Sequence, residues 1–399
     1  MMKKKVKSRM ILLVALFVII LGIGIYCFSP DQTLELIGDE NITIALHEEY
    51  KDEGVNIEQA KQDGQVNTEK EGKYVLTYTY KNQSVQRIVK VVDKNKIVVN
   101  LNGSVDTYVK QGDPYIESGC HAIDKTTGKQ IKQINITGYV DTSNVGDYQV
   151  TYEVSQDDLT IKRTRNVHVV ASKDFDENTS GIPVLMYHYV YAKDDMPEKL
   201  NTNYILNTDL EEQLQYLIQN HYYYPSYQEL AAYVDGKISL PKNSVILTFD
   251  DGQKGFLKYG IPLLEKYHVP ATSFVIGTKD GTEKVKQYAS EYISFQSHSY
   301  DMHKGGGNIG HGGIISALTK QQIVDDLKKS HEMAQNSEAF AYPFGDVTDI
   351  AKKAVKESEI LCAFTTHYGK VKKGADRTYL PRVRVLGDNS LKGYIQSLQ

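Results

Sequence analysis

Ser244-Val-Ile-Leu-Thr-Phe-Asp-Asp-Gly252 runs from apolar residues into two adjacent carboxylates and a glycine, and a helical stretch, Phe256–Tyr267, follows it. A short apolar run bounded by turn residues reads as a strand buried on both faces, as in parallel sheets. The same alternation recurs around it: Pro183–Tyr189 then Asp209–Asn220, Ala271–Ile276, Tyr292–Gln296 then Lys320–Gln335, Ala339–Tyr342 then Thr348–Glu357, and Ile360–Thr365. This order predicts an α/β domain with a parallel sheet or barrel. Reactive groups in such folds collect at the C-terminal strand ends, where His188, Asp250, Asp251, His298 and Pro343-Phe344-Gly345 all fall.

Successive side chains on a strand face opposite ways, so Asp250 and Asp251 can share a site only where the strand breaks, and Gly252 supplies the break. The alternative is an Asp-Gly turn in which Asp251 caps the next helix. Farther on stands His298-Ser-Tyr-Asp-Met-His303. At that spacing the two histidines would lie well off a common helix face. They are expected instead on a strand end and its following turn, converging on one ion. One Asp and two His can hold a divalent metal and leave positions open for water and substrate, and the second Asp is then free to act as a base. The pattern describes a metallohydrolase. Lys304 to Gly313, rich in glycine, is expected to form a mobile rim loop in which His311 is exposed. Tyr222-Tyr-Tyr224 fits either a glycan groove or buried strand packing.

Upstream of this domain, residues 32–93 and 97–171 read as short alternating strands with Gly/Asn/Asp punctuation, which predicts two small β-sandwiches. They repeat one another: Glu49-Tyr50 and Gly54 match Pro114-Tyr115 and Gly119, and Gly72-Lys-Tyr74-Val-Leu-Thr-Tyr78 matches Gly146-Asp-Tyr148-Gln-Val-Thr-Tyr152. Each copy closes on an Arg followed by a Val-rich strand. His47, His121 and His168 are isolated within them and carry no catalytic pattern, so a spacer role is preferred to sugar binding. The polar stretch 172–181 reads as a linker.

At the N-terminus a basic tail, residues 1–9, precedes an uncharged apolar run from Met10 to Phe28. That length predicts a transmembrane anchor with the N-terminus in the cytoplasm and the remainder outside. A cleaved signal peptide fits less well, because no small-x-small site follows, and Tyr26 before Cys27 fits a lipoprotein signal poorly. A formal net charge of −4 gives no support to nucleic-acid binding. Cys27, Cys120 and Cys362 form neither a disulfide framework nor a Cys-x-x-Cys metal pattern.

Thr248-Phe-Asp-Asp-Gly252, the His298 and His303 pair and Ala341-Tyr-Pro-Phe-Gly345 resemble the first three motifs of the polysaccharide deacetylases of carbohydrate esterase family 4, over about residues 181–390. Ile182-Pro-Val-Leu-Met-Tyr-His188 and Leu380-Pro-Arg382 resemble, more narrowly, the branch that holds the poly-N-acetylglucosamine deacetylases. The Gly-x-Tyr-x-Val/Leu-Thr-Tyr repeats resemble bacterial Ig-like surface modules. The first resemblance implies the NodB homology domain, a distorted (β/α) barrel, here over 182–399. It implies Asp251, His298 and His303 as ligands of a divalent metal, usually zinc, with Co2+, Ni2+ or Mn2+ as alternatives. It also implies Asp250 as base, and the Phe344 backbone N–H as oxyanion donor within a substrate-binding stretch of Tyr342, Pro343 and Phe344. Two departures stand out. Ala339-Phe340-Ala341 occupies the region where most of the family has a base-orienting Arg, so Arg382 is expected to take that task. No histidine follows His367, so the usual Leu-x-x-His acid is absent; His188 is the expected acid and His367 the alternative.

The expected whole is multi-domain: an N-terminal transmembrane helix, two all-β Ig-like sandwiches and a C-terminal α/β distorted (β/α) barrel. Its expected activity is N-deacetylation of an N-acetylglucosamine polysaccharide, peptidoglycan or poly-N-acetylglucosamine, by a chain fixed in the cell membrane with its catalytic domain extracellular. An O-acetyl esterase and a non-catalytic adhesin are the alternatives.

Overall fold

The structure, a computed structural model, describes residues 32–157 and 159–399 and divides into two compact units after Lys94. The membrane helix expected over residues 10–28 lies outside the described residues. Among those described, no helix is long and apolar enough to cross a membrane. The expected fold class, with its transmembrane helix and its membrane contact, is therefore corrected to β modules followed by an α/β barrel. An apolar run behind a cationic flank is a statement of composition, shared by several kinds of N-terminal segment, and composition alone does not establish a spanning helix.

In the first unit Asn41–Ala45, Gln83–Val92, Gly72–Tyr80 and Lys61–Asp63 form one four-stranded sheet in that order. The alternation of Gln83–Val92 buries Arg87, Val89 and Val91 on one face. Arg87 is fully buried; its Nε donates to the Asp39 carbonyl at 3.0 Å, and a terminal nitrogen reaches the Gly54 carbonyl at 3.4 Å. In the next repeat Arg165, equally buried, reaches the Gly119 carbonyl at 3.3 Å. Gly54 and Gly119 sit at φ +72° and +71°, a left-handed turn that glycine adopts without strain. The repeated Arg and Gly thus form one device, a buried guanidinium satisfied by turn carbonyls. The modules differ in their second layer. The later one adds a sheet of Ile97–Leu101, Cys120–Asp124 and Lys129–Gln130, in which Leu101 pairs with Cys120. At the matching positions the earlier one keeps a single bridge, Leu36 to Val55.

In the second unit seven parallel strands close a barrel: β1 (Val184–Tyr187), β2 (Ile246–Phe249), β3 (Ala271–Val275), β4 (Ile293–Ser297), β5 (Ala339–Ala341), β6 (Cys362–Tyr368) and β7 (Leu380–Arg384). Strand β7 returns beside β1, with Leu185 opposite Val383. Strands β2 and β3 are buried along their whole length, because side chains inside the barrel and those under the surrounding helices are both covered; Thr248, Thr272 and Ser273 are their polar members. Helix Tyr227–Val234, started by a Ser226–Glu229 capping box, lies under the N-terminal end of the barrel, where Tyr227 donates to Thr272 Oγ1 at 2.7 Å.

The second Ig-like module packs against that same N-terminal end. Asn100 donates to the Glu291 carbonyl, Asn102 to Glu338 Oε1 and Tyr224 N to Ser104 Oγ, at 2.7, 2.8 and 3.0 Å. Tyr222, Tyr223 and Tyr224 line this joint, with Tyr223 buried. The polar stretch 172–181 is tied down: Glu177 pairs with Lys110 and Lys373, both at 2.9 Å, and Asn178 N donates to the Leu240 carbonyl at 2.8 Å.

Candidate active site

Each candidate group stands at the C-terminal end of the barrel because the residue before it ends or nearly ends a strand. His188 follows β1, Asp250 follows β2, His298 follows β4 and Tyr342 follows β5, while Arg382 lies within β7. After β2 the chain turns sharply, with Asp251 at φ +73° and Gly252 at φ +55°. This break brings two successive carboxylates to one site. Left-handed non-glycine residues of this sort concentrate at functional sites, and Ser299 (φ +71°) and Phe344 (φ +61°) adopt the same region nearby.

Asp250 is 2 % exposed and Arg382 fully buried. Arg382 grips Asp250 bidentately, Nη1 to Oδ1 and Nη2 to Oδ2, both at 2.7 Å. Its Nε donates to the Thr365 carbonyl at 3.0 Å, and Nη1 also donates to Thr248 Oγ1 at 3.1 Å. Burial by itself would raise the Asp250 pKa. The Arg382 charge and hydrogen bonds, with His298 and His188 adding, outweigh it and hold the carboxyl below its ordinary value. Arg382 thus stands where the sequence lacks an Arg ahead of Tyr342, and fixes both oxygens of the expected base.

Asp251, His298 and His303 offer ligand atoms that all lie within 4.8 Å of one another. Asp251 Oδ1 is 3.4 Å from His298 Nε2 and 3.3 Å from His303 Nε2. His298 Nδ1 donates to the Ala341 carbonyl at 2.8 Å, which assigns its proton to Nδ1 and leaves Nε2 free as a ligand. The His303 ring lies 4.5 Å from the Phe344 ring. The turn between the histidines is held by Asp326, which accepts from Tyr300 N at 2.7 Å and Asp301 N at 2.8 Å. A carboxylate and two oriented imidazoles fit a divalent transition metal.

His188 lies with both aspartates, Arg382 and Arg384; burial, the largest influence, depresses its pKa. His367 is exposed, with its ring 6.5 Å from Tyr379. Tyr342 is buried, and its hydroxyl donates to the Thr378 carbonyl at 2.9 Å, so its ring is a packing element. Pro343 is buried as well, whereas Phe344 is half-buried. The glycine-rich loop is fastened at the rim: Asp346 accepts from His311 N at 2.8 Å and Gly313 N at 2.7 Å, and the His311 side chain is exposed as expected. Sequence reasoning missed Tyr189, Asp326 and Asp346. Tyr189 Oη donates to Asp251 Oδ2 at 2.9 Å. It carried one usable signal, its place beside His188 at a strand end.

The C-terminal face of the parallel barrel therefore carries a buried Asp–Arg pair beside an Asp/His cluster that could hold a metal ion. Residues 237–362 match the polysaccharide deacetylase family and residues 99–169 the bacterial surface protein Ig-like domain. The chain thus carries a region similar to polysaccharide deacetylases, preceded by a region similar to bacterial surface Ig-like modules. It is 28 % identical over 232 residues to the poly-beta-1,6-N-acetyl-D-glucosamine N-deacetylase of Staphylococcus epidermidis, covering 51 % of this chain and 78 % of the relative. It is 25 % identical over 239 residues to the putative polysaccharide deacetylase YxkH of Bacillus subtilis, covering 56 % and 79 %. Among solved structures, the Streptococcus pyogenes deacetylase PplD aligns with a TM-score of 0.48 at 23 % identity, over 55 % of this chain and 98 % of that one.

Proposed function

We propose that the chain hydrolyses N-acetyl groups of an N-acetylglucosamine polysaccharide outside the cell, using a divalent ion, zinc first, held by Asp251, His298 and His303. One observation carries this reading: a buried carboxylate, gripped on both oxygens by Arg382, beside a cluster of three residues that could hold a metal ion. The named activity of the Staphylococcus epidermidis relative supports the substrate class, and the surface-protein module supports the location.

A divalent ion bound there supplies Lewis-acid polarisation of the acetamide carbonyl and lowers the pKa of water. Asp250, ionised because Arg382 holds its pKa down, accepts the proton of the attacking water. Its two guanidinium bonds restrict the carboxylate to one orientation. The Phe344 N–H, at a left-handed turn, is the assigned donor to the developing oxyanion. His188, whose charged form both aspartates favour although burial depresses its pKa, is assigned to take up a proton and pass it to the departing nitrogen. The products are acetate and an amine that is cationic at neutral pH.

Acetate release from N-acetylglucosamine oligomers and from N-acetylated peptidoglycan, measured side by side with added zinc, tests the substrate. Release from either supports N-deacetylation and assigns the polymer. Release only from an O-acetylated glycan would replace this reading with an esterase.

A further inference from the structure

Two of the three candidate ligands are oriented by neighbours close to the barrel: His298 through the Ala341 carbonyl, and His303 against Phe344. Asp251 has no such support from its own strand. It stands in a left-handed turn between Asp250 and a left-handed glycine, and a carboxylate in that position is free to present either oxygen or both. Oδ1 nevertheless faces the two imidazole Nε2 atoms, while Oδ2 accepts from Tyr189 at 2.9 Å. We propose that Tyr189 is a positioning residue that sets the metal affinity of the centre, by holding Asp251 with Oδ1 turned toward the ion. This rests on the reading of Asp251, His298 and His303 as metal ligands.

Independent features place Tyr189 for that task. It lies on a two-stranded parallel ribbon in which Tyr189–Tyr191 pairs with Tyr204–Leu206, and its ring packs 4.8 Å from Tyr204. The ribbon is locked to the segment that follows Asp251. A Cβ on Gly255 would fall 2.0 Å from the Val190 carbonyl oxygen, and one on Gly260 would meet both Phe256 and Val190. Two glycines therefore permit a close approach that keeps the ribbon in register with the Asp-Asp-Gly turn. A hydrogen bond to the outer oxygen of a ligating carboxylate is the kind of second-layer contact whose loss weakens metal binding about 10–100-fold.

The test is zinc affinity of the whole chain, by competition with a chromophoric chelator, for wild type, Y189F and the ribbon control Y191F. The rise in melting temperature on adding zinc is recorded in parallel. Y189F is expected to bind about 10–100-fold more weakly than wild type and to gain less on heating with zinc, with an unchanged metal-free melting temperature. Y191F should bind like wild type. A Y189F affinity within about twofold of wild type would overturn the inference and leave the functional reading standing. Failure of the wild type itself to bind zinc would bring down the reading of the centre, and this inference with it.

Discussion

Asp250 and Arg382 make the site a matter of single residues. Because the carboxylate is buried and doubly bonded, Asp250→Asn should remove the base while leaving the ligand cluster whole. Turnover is expected to fall about 10²–10⁴-fold, with zinc still bound by equilibrium dialysis. Arg382→Met removes one partner of a buried pair and should cost about 3–5 kcal/mol in denaturant unfolding. The pH dependence gives the sign. In the wild type the Asp250 pKa is lowered in the fold, so its stabilisation is present above the ordinary carboxylate range and is lost as pH falls through the lower value. Without Arg382 the largest lowering influence is gone and burial, opposed only by His298 and His188, pushes that pKa upward, so the stabilisation Asp250 contributes at neutral pH should shrink. An unchanged pH slope in the variant would refute the pairing. The sequence made Asp250, Asp251, His298 and His303 legible because adjacent carboxylates after an apolar run, and paired histidines after another, are local patterns. Tyr189 and Asp326 were illegible because their contacts, to Asp251 and to the His298–His303 turn, join parts of the chain far apart in sequence.

At the scale of elements, mainly apolar runs such as Ser244–Phe249 and Ala271–Ile276 marked β2 and β3 to within two residues, since a strand buried on both faces carries few charged residues and no regular polar alternation. The glycine-rich stretch was legible in place but not in state. Read as mobile, it is fastened by Asp346, and a Cβ on Gly310 would lie 1.9 Å from Asp346 Oδ1. Asp346→Ala should therefore release the loop. Amide hydrogen exchange at His311 and Gly313 is expected to accelerate while exchange in β2 and β4 is unchanged; equal protection in both proteins would show that the loop does not depend on that carboxylate. The stretch 172–181 taught the same lesson in reverse. Its polar composition suited a linker, but Glu177 and Asn178 spend that polarity on contacts with Lys110, Lys373 and the barrel.

At the scale of the molecule, the repeat was legible because both copies need the same buried Arg and left-handed Gly. The docking of the second Ig-like module beneath the barrel was not, since no local pattern encodes which polar residues meet across a joint. Glu338 is central there. It accepts from Asn102 of the module at 2.8 Å and from Gln228 at 2.6 Å, and burial pushes its pKa up to about 7 against those hydrogen bonds. A carboxyl whose folded pKa is raised contributes stability that is fully present below its unfolded value and is lost as pH rises through about 7. The melting temperature should therefore fall between pH 5 and pH 8 by more in the wild type than in Glu338→Gln. Identical falls would remove Glu338 from the account.

The central claim is that a metal held by Asp251, His298 and His303 works with Asp250 to release acetate. The measurement that tests it most directly is acetate release from N-acetylglucosamine oligomers by the whole chain as purified, after chelation, and after zinc is restored, with Asp250→Asn carried through the same series. The account predicts release that chelation abolishes and zinc restores, and none from Asp250→Asn at full metal occupancy. Release that survives chelation, or that survives the loss of Asp250, would contradict it.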